Sequence, residues 1–462
     1  MFNRTFEKVT RLPVSARRAF DWHLHPGAFE RLTPPWDPTK LLAYEGVRDG
    51  EKVMLRVVAP WPRKWIAIHE DFIDGVQFKD RQAKGPFPKW VHTHRVEPAP
   101  GAGATDPRAL PTGHASECLM RDSISYRLPL GPLGMIAHAL FMKRQINAMF
   151  DHRHATLFAD LVDHATLAGD RRLKVAVTGA SGMIGSALSG YLGCGGHQVT
   201  PIKRRDGLTF DLDAARGCDV LVHLAGEPIV QRWNKDSRSR IRRSRVDRTR
   251  LLVEALARLP ERDRPRVLLS GSAVGYYGNG GDDPLSEASG PGEGEGFLAE
   301  VSREWEEAAA PAAELGIRTV LLRTGVVLTP RGGALKKMLP AFKLGLGGRL
   351  SKGTQYFPWI TLDDQLRAMY RCMLDNRISG PVNLTAPQPV TNAEFTKTLG
   401  RVLRRPTLIP APAPVMRAVF GEMVDEVLLQ GQRAAPAVLQ QYGFTFKQPH
   451  LETALRELLG KF

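Results

Sequence analysis

A glycine motif between an apolar strand and a helix constrains this fold most. The run KVAVT (174–178) leads directly into TGASGMIG, where glycines recur at positions 179, 182 and 185. The first glycine permits a tight turn, the second lets a diphosphate approach the backbone, and the third lets a helix pack on a sheet. A helix start also presents unpaired amide groups to an anion. This context favours a dinucleotide-binding loop over an ordinary glycine turn, with contacts from Gly179, Ser181, Gly182, Met183, Ile184 and Gly185.

Short apolar strands alternate with helical stretches through the following residues. After the first strand we expect strands at 197–203, 219–224, 266–271, 317–323 and 381–385. Near-continuous apolar strands separated by helices are typical of a parallel sheet that helices cover on both faces. The pattern therefore predicts an α/β fold with a doubly wound parallel sheet of the Rossmann type, with right-handed crossovers.

The end of the second strand indicates which dinucleotide would bind. NAD sites place an acidic residue there to bind the ribose 2′-hydroxyl group. Here the strand ends in Lys203, Arg204 and Arg205, and arginine can grip a phosphate in a bidentate way. These cations favour NADP over NAD, with Asp206 as the one contrary signal. The alternative is that they are only exposed charges at a strand end.

Two further patterns divide the chain into regions. Residues 101–111 are rich in Gly, Ala and Pro, which predicts a loop, and residues 131–168 show the apolar spacing of one long closing helix. Gly169 to Arg172 then interrupt the pattern. We therefore expect three regions: an N-terminal domain over 1–168, a Rossmann domain over 173–400 and a helical C-terminal domain over 401–462.

Composition limits the compartment and the partners. No apolar run approaches the roughly 18–20 residues of a membrane span, and the N-terminus lacks the apolar core of a secretory signal. Four scattered cysteines form neither a disulfide framework nor a metal-binding spacing. We therefore expect a cytoplasmic protein with no membrane partner.

The net charge raises the question of nucleic-acid binding. The formal charge is +16, and the densest basic stretch is SRSRIRRSRVDRTR at 237–250. This stretch has the pattern of a helix with solvated arginines, and it contains no aromatic residues on which bases would stack. An arginine-rich surface with a site for an anionic cofactor is therefore favoured over a nucleic-acid partner.

Most of the chain from Leu173 to Phe462 resembles the atypical extended short-chain dehydrogenase/reductases, described as NAD-dependent epimerase/dehydratase proteins with a C-terminal domain of unknown function. The matching stretches include HLAGEPIVQRWNKDSRSRIRRSRV, LLSGSAVGYYGNGG and GPVNLTAPQPVTNAEF. The resemblance implies an oxidoreductase or epimerase that uses a nicotinamide cofactor on a small hydroxyl or carbonyl substrate. It also implies cofactor contacts at Asp211, Leu212, Leu224, Ala225, Gly226 and Arg323, and an active-site serine at Ser272.

The chain departs from this family at the catalytic pair. Ordinary members carry Tyr-x-x-x-Lys on one helical face, where the lysine lowers the pKa of the tyrosine. The corresponding segment here is GFLAEVSREWEE, with Phe297 and Val301 at those positions. The proton donor is therefore not identified by the sequence, and Tyr277 is taken with Ser272 as a candidate catalytic residue. The possible substitutes are Tyr276 or Tyr277, Glu293 or Glu295, and Lys336 or Lys337, and each has the alternative of a packing or surface role.

The N-terminal region resembles a second family. The stretch FEKVTRLPVSARRAFDWHLHPGAFERLTPPW (6–36) is similar to the start of START-like (polyketide cyclase, SRPBCC-type) domains. The resemblance implies an α+β helix-grip fold, in which an antiparallel sheet wraps around a long helix and leaves a cavity for an apolar ligand. His92 and His94 alternate on one strand as a metal pair does, but the spacing offers no third ligand, so we expect no metal.

Two functions stay open. The first is an NADP-dependent oxidoreductase or epimerase, in which Ser272 would bind the reacting oxygen. The second is a dinucleotide-dependent sensor or binding protein with little turnover, which the missing tyrosine and lysine favour.

Overall fold

The computed structural model describes residues 3–58, 62–100, 117–128, 141–205, 209–292, 296–411 and 413–461. The chain forms two compact units: Met1–Arg172 with Gly190–His197, and Leu173–Ser189 with Gln198–Phe462. The predicted loop at 101–111 lies outside the described residues.

The N-terminal unit is built on a seven-stranded antiparallel sheet with the order β1-β7-β6-β5-β4-β3-β2. Burial alternates residue by residue along β7, because successive side chains of a strand point to opposite faces. One face of the sheet therefore contributes to a core. The strands are β1 (Asn3–Leu12), β2 (Lys40–Tyr44), β3 (Lys52–Val57), β4 (Arg63–Ile73), β5 (Gln77–Lys84), β6 (Lys89–Pro98) and β7 (Cys118–Arg127).

Among its described residues, this unit contains the helices α1 (Ala16–Leu24), α2 (Ala28–Leu32) and α3 (Lys143–Leu167). Helix α1 begins at Ser15, whose hydroxyl accepts a hydrogen bond from the Arg18 amide, the usual N-cap arrangement. Ile146 and Phe150 of α3 pack with Trp90 and Ile124 of the sheet. The predicted closing helix is confirmed over α3, and its first ten residues, 131–140, lie outside the described part.

The second unit contains a six-stranded sheet with the order β17-β13-β11-β10-β8-β9, and every neighbouring pair is parallel. The prediction of a Rossmann-type parallel sheet is confirmed. All six main strands fall within two residues of the predicted ranges: β8 (Lys174–Thr178), β9 (Gln198–Ile202), β10 (Val220–His223), β11 (Val267–Ala273), β13 (Arg318–Thr324) and β17 (Gly380–Leu384).

Helices follow these strands because apolar residues recur at helical spacing and face the sheet. Leu252 and Leu256 of α5, for example, pack against Leu221 and Leu268. The helices are α4 (Met183–Cys194), α5 (Lys235–Ala257), α6 (Phe297–Ala309), α7 (Gly333–Lys343), α8 (Leu362–Leu374), α9 (Asn392–Leu403), α10 (Ala413–Phe420), α11 (Ala437–Gln441) and α12 (Leu451–Leu459).

Short strand pairs carry the remaining structure of this unit. Residues after 400 belong to the same compact unit as the sheet, and Leu455 shares a core with Trp359 and Phe395. The short strands are β12 (Pro284–Leu285), β14 (Val326–Leu328), β15 (Tyr356–Phe357), β16 (Trp359–Thr361), β18 (Val390–Thr391) and β19 (Arg433–Ala434).

In the described part of the chain, no helix combines the length and apolar character that a membrane crossing requires.

Candidate functional site

The glycine loop joins β8 to α4 with backbone geometry that side chains would prevent. Gly179 has φ 71°, and a Cβ there would lie 2.9 Å from the backbone of Leu224 and Ala225. A Cβ on Gly185 would lie 2.3 Å from the Gly179 carbonyl oxygen. Both glycines are therefore required, the first by its left-handed conformation and the second by close packing of the helix start.

A second loop meets the glycine loop at the carboxyl ends of the central strands. The Thr178 hydroxyl oxygen accepts hydrogen bonds from the amides of Leu224 (3.2 Å) and Ala225 (3.3 Å). Strand β8 has β9 on one side and β10 on the other, so the chain reverses its direction of sheet growth there. Ligands of open α/β sheets bind in the crevice at such a point, and the two predicted loops border it.

The start of α4 is accessible to an anion. Ser181 and Gly182 are exposed, and the helix begins at Met183. The first amides of a helix lack partners within it, which makes this end suited to phosphate. A Cβ on Gly182 would lie 3.2 Å from the Gly179 carbonyl oxygen, so a side chain would crowd the loop. The residues present therefore fit a dinucleotide diphosphate.

Three exposed cations follow β9, as predicted: Lys203, Arg204 and Arg205. Arg205 lies 3.3 Å from Asp211, so its charge is shared with a carboxylate. Burial and the neighbouring charge of Arg204 lower the pKa of Arg248, which places a second guanidinium near the first. These cations give the end of β9 a positive charge that suits an anion. Leu212 is buried in the core beneath this region.

Arg245 of α5 is a residue whose environment the sequence analysis predicts incorrectly. It is 9% exposed, not solvated, and burial lowers its pKa to about 10. A Cβ on Gly226 would lie 3.4 Å from its guanidinium carbon. Among the described residues no carboxylate forms a salt bridge with Arg245. A buried guanidinium beside the second loop thus adds positive charge at the crevice.

Further along the same sheet edge, polar side chains form a buried network. Ser272, Arg323 and Asn383 are register neighbours on β11, β13 and β17. Arg323 grips Glu306 of α6 with Nε and Nη2, both at 2.9 Å, and the Ser272 hydroxyl donates to the same carboxylate at 2.6 Å. The structure therefore brings the predicted serine together with Arg323, through a glutamate that the sequence analysis missed.

Tyr277 belongs to the same network. Its hydroxyl donates to Asn383 Oδ1 at 2.8 Å and accepts from Arg323 Nη1 at 3.0 Å. Burial raises the pKa of this phenol. The Arg323 guanidinium also lies 3.6 Å above the Tyr276 ring. Tyr277, Ser272 and Arg323 are nearly fully buried, and each has its hydrogen-bond partners within this network, which Glu306 and Asn383 complete.

The structure describes only some of the other predicted acid–base positions. Helix α6 contains neither tyrosine nor lysine, Phe297 packs with Trp233 and Met423, and Val301 is buried. Lys336 and Lys337 are exposed. Asp206, Glu293 and Glu295 lie outside the described residues.

Comparison with known proteins places this geometry in a family. Residues 175–384 match the NAD dependent epimerase/dehydratase family, and residues 411–458 match a domain of unknown function, DUF1731. Epimerase family protein Mb2239 of Mycobacterium bovis is 44% identical over 294 residues, which are 61% of this chain and 96% of that protein.

Two solved structures extend the comparison. Human epimerase family protein SDR39U1 with NADPH is 34% identical with a TM-score of 0.57, covering 63% of this chain and 100% of that chain. The nucleoside-diphosphate sugar epimerase from Corynebacterium glutamicum is 34% identical with a TM-score of 0.75, covering 98% of this chain and 90% of that chain. The chain therefore belongs to the NAD dependent epimerase/dehydratase family.

Proposed function

We propose that the second unit binds NADP(H) and acts as an oxidoreductase or epimerase on a small hydroxyl or carbonyl substrate. The observation that carries this proposal is the pair of loops at the reversal point of the sheet, joined through Thr178. Gly179, Ser181, Gly182, Met183, Ile184 and Gly185 would hold the diphosphate, and Leu224, Ala225 and Gly226 would border the nicotinamide ribose.

The cations after β9 support NADP over NAD. Lys203, Arg204 and Arg205 would surround a 2′-phosphate, and Arg248 adds a further charge near Arg204. The human relative SDR39U1, whose structure contains NADPH, supports the same choice. Asp211, which lies beside Arg205, would orient that guanidinium and border the adenine together with the backbone of Leu212.

Bound nicotinamide would supply or accept a hydride, and the chain would orient the substrate and hold the proton. Ser272 and Tyr277 are the proposed groups, with Arg323 positioning both. Because burial raises the pKa of Tyr277, its phenol keeps its proton at neutral pH. A substrate oxygen would receive that proton only by replacing Asn383 as the hydrogen-bond acceptor.

A second candidate function follows from this closed network. Both hydroxyls already have partners, and α6 lacks the tyrosine and lysine of the ordinary pair, which favours a dinucleotide-dependent binding protein with little turnover. The N-terminal unit would then be a START-like helix-grip domain that holds an apolar ligand. Its antiparallel sheet, its long helix and a cavity of about 250 Å³ lined by Trp65, Phe78 and Phe150 support this assignment.

Fluorescence titration with NADPH and NADH tests the cofactor assignment. We expect wild-type protein to prefer NADPH, and Arg204→Asp to lower that preference by about tenfold, or 1.4 kcal/mol. Arg262→Asp is the matched control, because the Arg262 side chain is 88% exposed and lies 3.9 Å from the carboxylate of its neighbour Asp263. Equal affinity of the wild type for the two cofactors would contradict the proposed role of the cations.

Single-turnover oxidation of NADPH against a panel of carbonyl compounds separates the two functions. An enzyme oxidises bound NADPH with at least one of them, and Ser272→Ala should abolish that reaction. Tight NADPH binding without any oxidation would favour the binding protein. Turnover that survives Ser272→Ala would show that the serine is not part of the reacting site.

A further inference from the structure

A cluster of histidines and aspartates lies in the N-terminal unit, far along the chain from the cofactor loops. His92 and His94 are on one face of β6, and Asp80 on β5 is the register partner of His92. One ligand atom from each of these three residues lies within 4.8 Å of the others. The spacing of His92 and His94 in the sequence offers no third ligand, so the sequence alone predicts no metal. The third donor comes from the neighbouring strand.

The distances within the cluster match those between ligands of one metal ion. Asp80 Oδ2 lies 3.2 Å from His92 Nδ1 and 3.5 Å from His94 Nε2. With metal–ligand bonds of about 2.1 Å in a tetrahedral site, two ligand atoms are about 3.4 Å apart. Charge-assisted hydrogen bonds are shorter, at about 2.7–2.9 Å. The two Asp80 distances are close to this spacing, and all three donor atoms lie within 4.8 Å of one another, which is compatible with an ion among them.

A second carboxylate, Asp122, lies beside the opposite nitrogen of each imidazole and is hydrogen-bonded to that of His92. Asp122 Oδ1 lies 2.9 Å from His92 Nε2 and 2.6 Å from His94 Nδ1, and its Oδ2 lies 2.8 Å from His154 Nε2. The other nitrogen of His154 is 2.8 Å from the Thr10 hydroxyl. Metal-bound histidines commonly give their second nitrogen to such a carboxylate, which fixes the ring and its tautomer.

The charge and the burial of this cluster also favour a bound cation. His92, His94 and Asp122 are each 5% exposed or less, and the Asp80 side chain is 18% exposed. The ionised carboxylates of Asp80 and Asp122 carry two negative charges, and buried charges need compensation. Arg153 lines the same cavity and supplies one positive charge. A divalent cation between the three donors compensates both carboxylates directly.

The donors also face a space in which a ligand fits. Asp80, His92 and His94 line the cavity of about 250 Å³ whose other walls include Trp65, Phe78 and Phe150. Three protein ligands and an open fourth position are the arrangement of reactive rather than purely structural zinc sites. An ion here would contact an oxygen donor on an otherwise apolar molecule.

We propose that Asp80, His92 and His94 bind one divalent transition-metal ion, zinc by ligand preference, with its open position directed to the cavity. Asp122 is a positioning residue that bonds the His92 imidazole and lies beside that of His94, and His154 in turn holds Asp122. The ion would polarise or anchor a carbonyl, hydroxyl or carboxylate group of a cavity ligand.

The first test uses the full chain without a histidine tag, stripped of metal by a chelator. Calorimetric titration should show one Zn²⁺ per chain, and Co²⁺ should give the visible absorption bands of a low-coordinate nitrogen and oxygen site. A titration at 100 micromolar protein detects even a weak site, with a Kd of about 10⁻⁴ M. If that titration shows no one-to-one Zn²⁺ isotherm and Co²⁺ gives no bands, the proposal is overturned without any variant.

The second test compares variants. Asp80→Asn and His92→Gln should weaken Zn²⁺ binding by about 100-fold or more, and Asp122→Asn by about 10- to 100-fold. The controls are Asp37→Asn, a carboxyl group that lines the same cavity, and His152→Gln, on the same helix as His154. Unchanged NADPH affinity and circular dichroism identify folded variants. Zn²⁺ affinity that is equal in Asp80→Asn, His92→Gln and the controls would show a hydrogen-bonded cluster that holds no metal.

Discussion

The carboxyl edge of the parallel sheet has two halves that differ in how their polar groups are satisfied. At the ends of β8 and β10, the open half, glycines bring two loops together and leave a helix start accessible. At the ends of β11, β13 and β17, the closed half, Ser272, Arg323 and Asn383 are joined to Glu306 and Tyr277 by hydrogen bonds.

This difference distinguishes polar groups that are available to a ligand from polar groups that are already hydrogen-bonded within the protein. The open half offers backbone amides and cations to a ligand, whereas every reactive group of the closed half already has a partner. A parallel sheet commonly uses this whole edge for one site. In the proposed reaction, the closed half would therefore exchange an internal hydrogen bond for one to substrate.

The largest expected effect comes from breaking the closed half. Glu306→Ala leaves the Arg323 guanidinium buried without its carboxylate, which should destabilise the protein by about 3–5 kcal/mol. Denaturant unfolding followed by tryptophan fluorescence measures this change.

Glu307→Ala on the same helix is the matched control for that variant. Glu307 pairs with Arg303 at 3.7 Å, and its side chain is 66% exposed, so its loss should cost less than about 1 kcal/mol. Equal losses in the two variants would mean that the Arg323–Glu306 pair does not organise the closed half.

A smaller effect concerns the layer beneath the open half. His223 is fully buried between the hydroxyls of Thr178 (2.7 Å) and Thr249 (3.1 Å), and burial, with a contribution from Arg248, lowers its pKa to about 4. Between that value and the pKa of about 6.5 in the unfolded chain, only the unfolded chain binds a proton. The stability from neutral His223 is complete above pH 6.5 and is lost as the pH falls to about 4, by about 3 kcal/mol.

Unfolding free energies of wild type and His223→Asn between pH 7 and pH 4 measure this contribution. The wild type should lose stability more steeply over that range than the variant, because asparagine does not titrate there. Parallel pH profiles for the two proteins would contradict the assignment.

Local patterns predict the open half because its signals lie within a few residues of one another. The strand ending at Thr178, the three glycines and the helix from Met183 are contiguous, and each has a stereochemical reason that is visible in the sequence. The strands of the sheet are likewise short apolar runs, so their existence and order along the chain are predictable.

The closed half and the histidine cluster depend on contacts between distant segments. Glu306 looks like a surface residue of a helix until the sheet places Arg323 opposite it. Asp80 becomes a neighbour of His92 only through the pairing of β5 with β6. Arg245 lies in a basic stretch typical of solvated helices, and its burial follows from packing beside Gly226. The sequence alone therefore does not show the strand register and the burial on which these contacts depend.

The smallest expected effect comes from adding a single methyl group to a glycine of the open half. Gly179 and Gly217 both have positive φ, 71° and 63°, but a Cβ meets backbone 2.9 Å away only at Gly179 and open space at Gly217. Gly217→Ala should cost about 1–2 kcal/mol of stability because it imposes a left-handed conformation on an L-residue, and Gly179→Ala should cost at least that much because its Cβ also meets backbone. Only Gly179→Ala should also displace the two loops and weaken NADPH binding, by about tenfold or 1.4 kcal/mol. Fluorescence titration of both variants distinguishes backbone strain from loss of the cofactor loop, and NADPH affinities that stay equal would place the cofactor away from the open half.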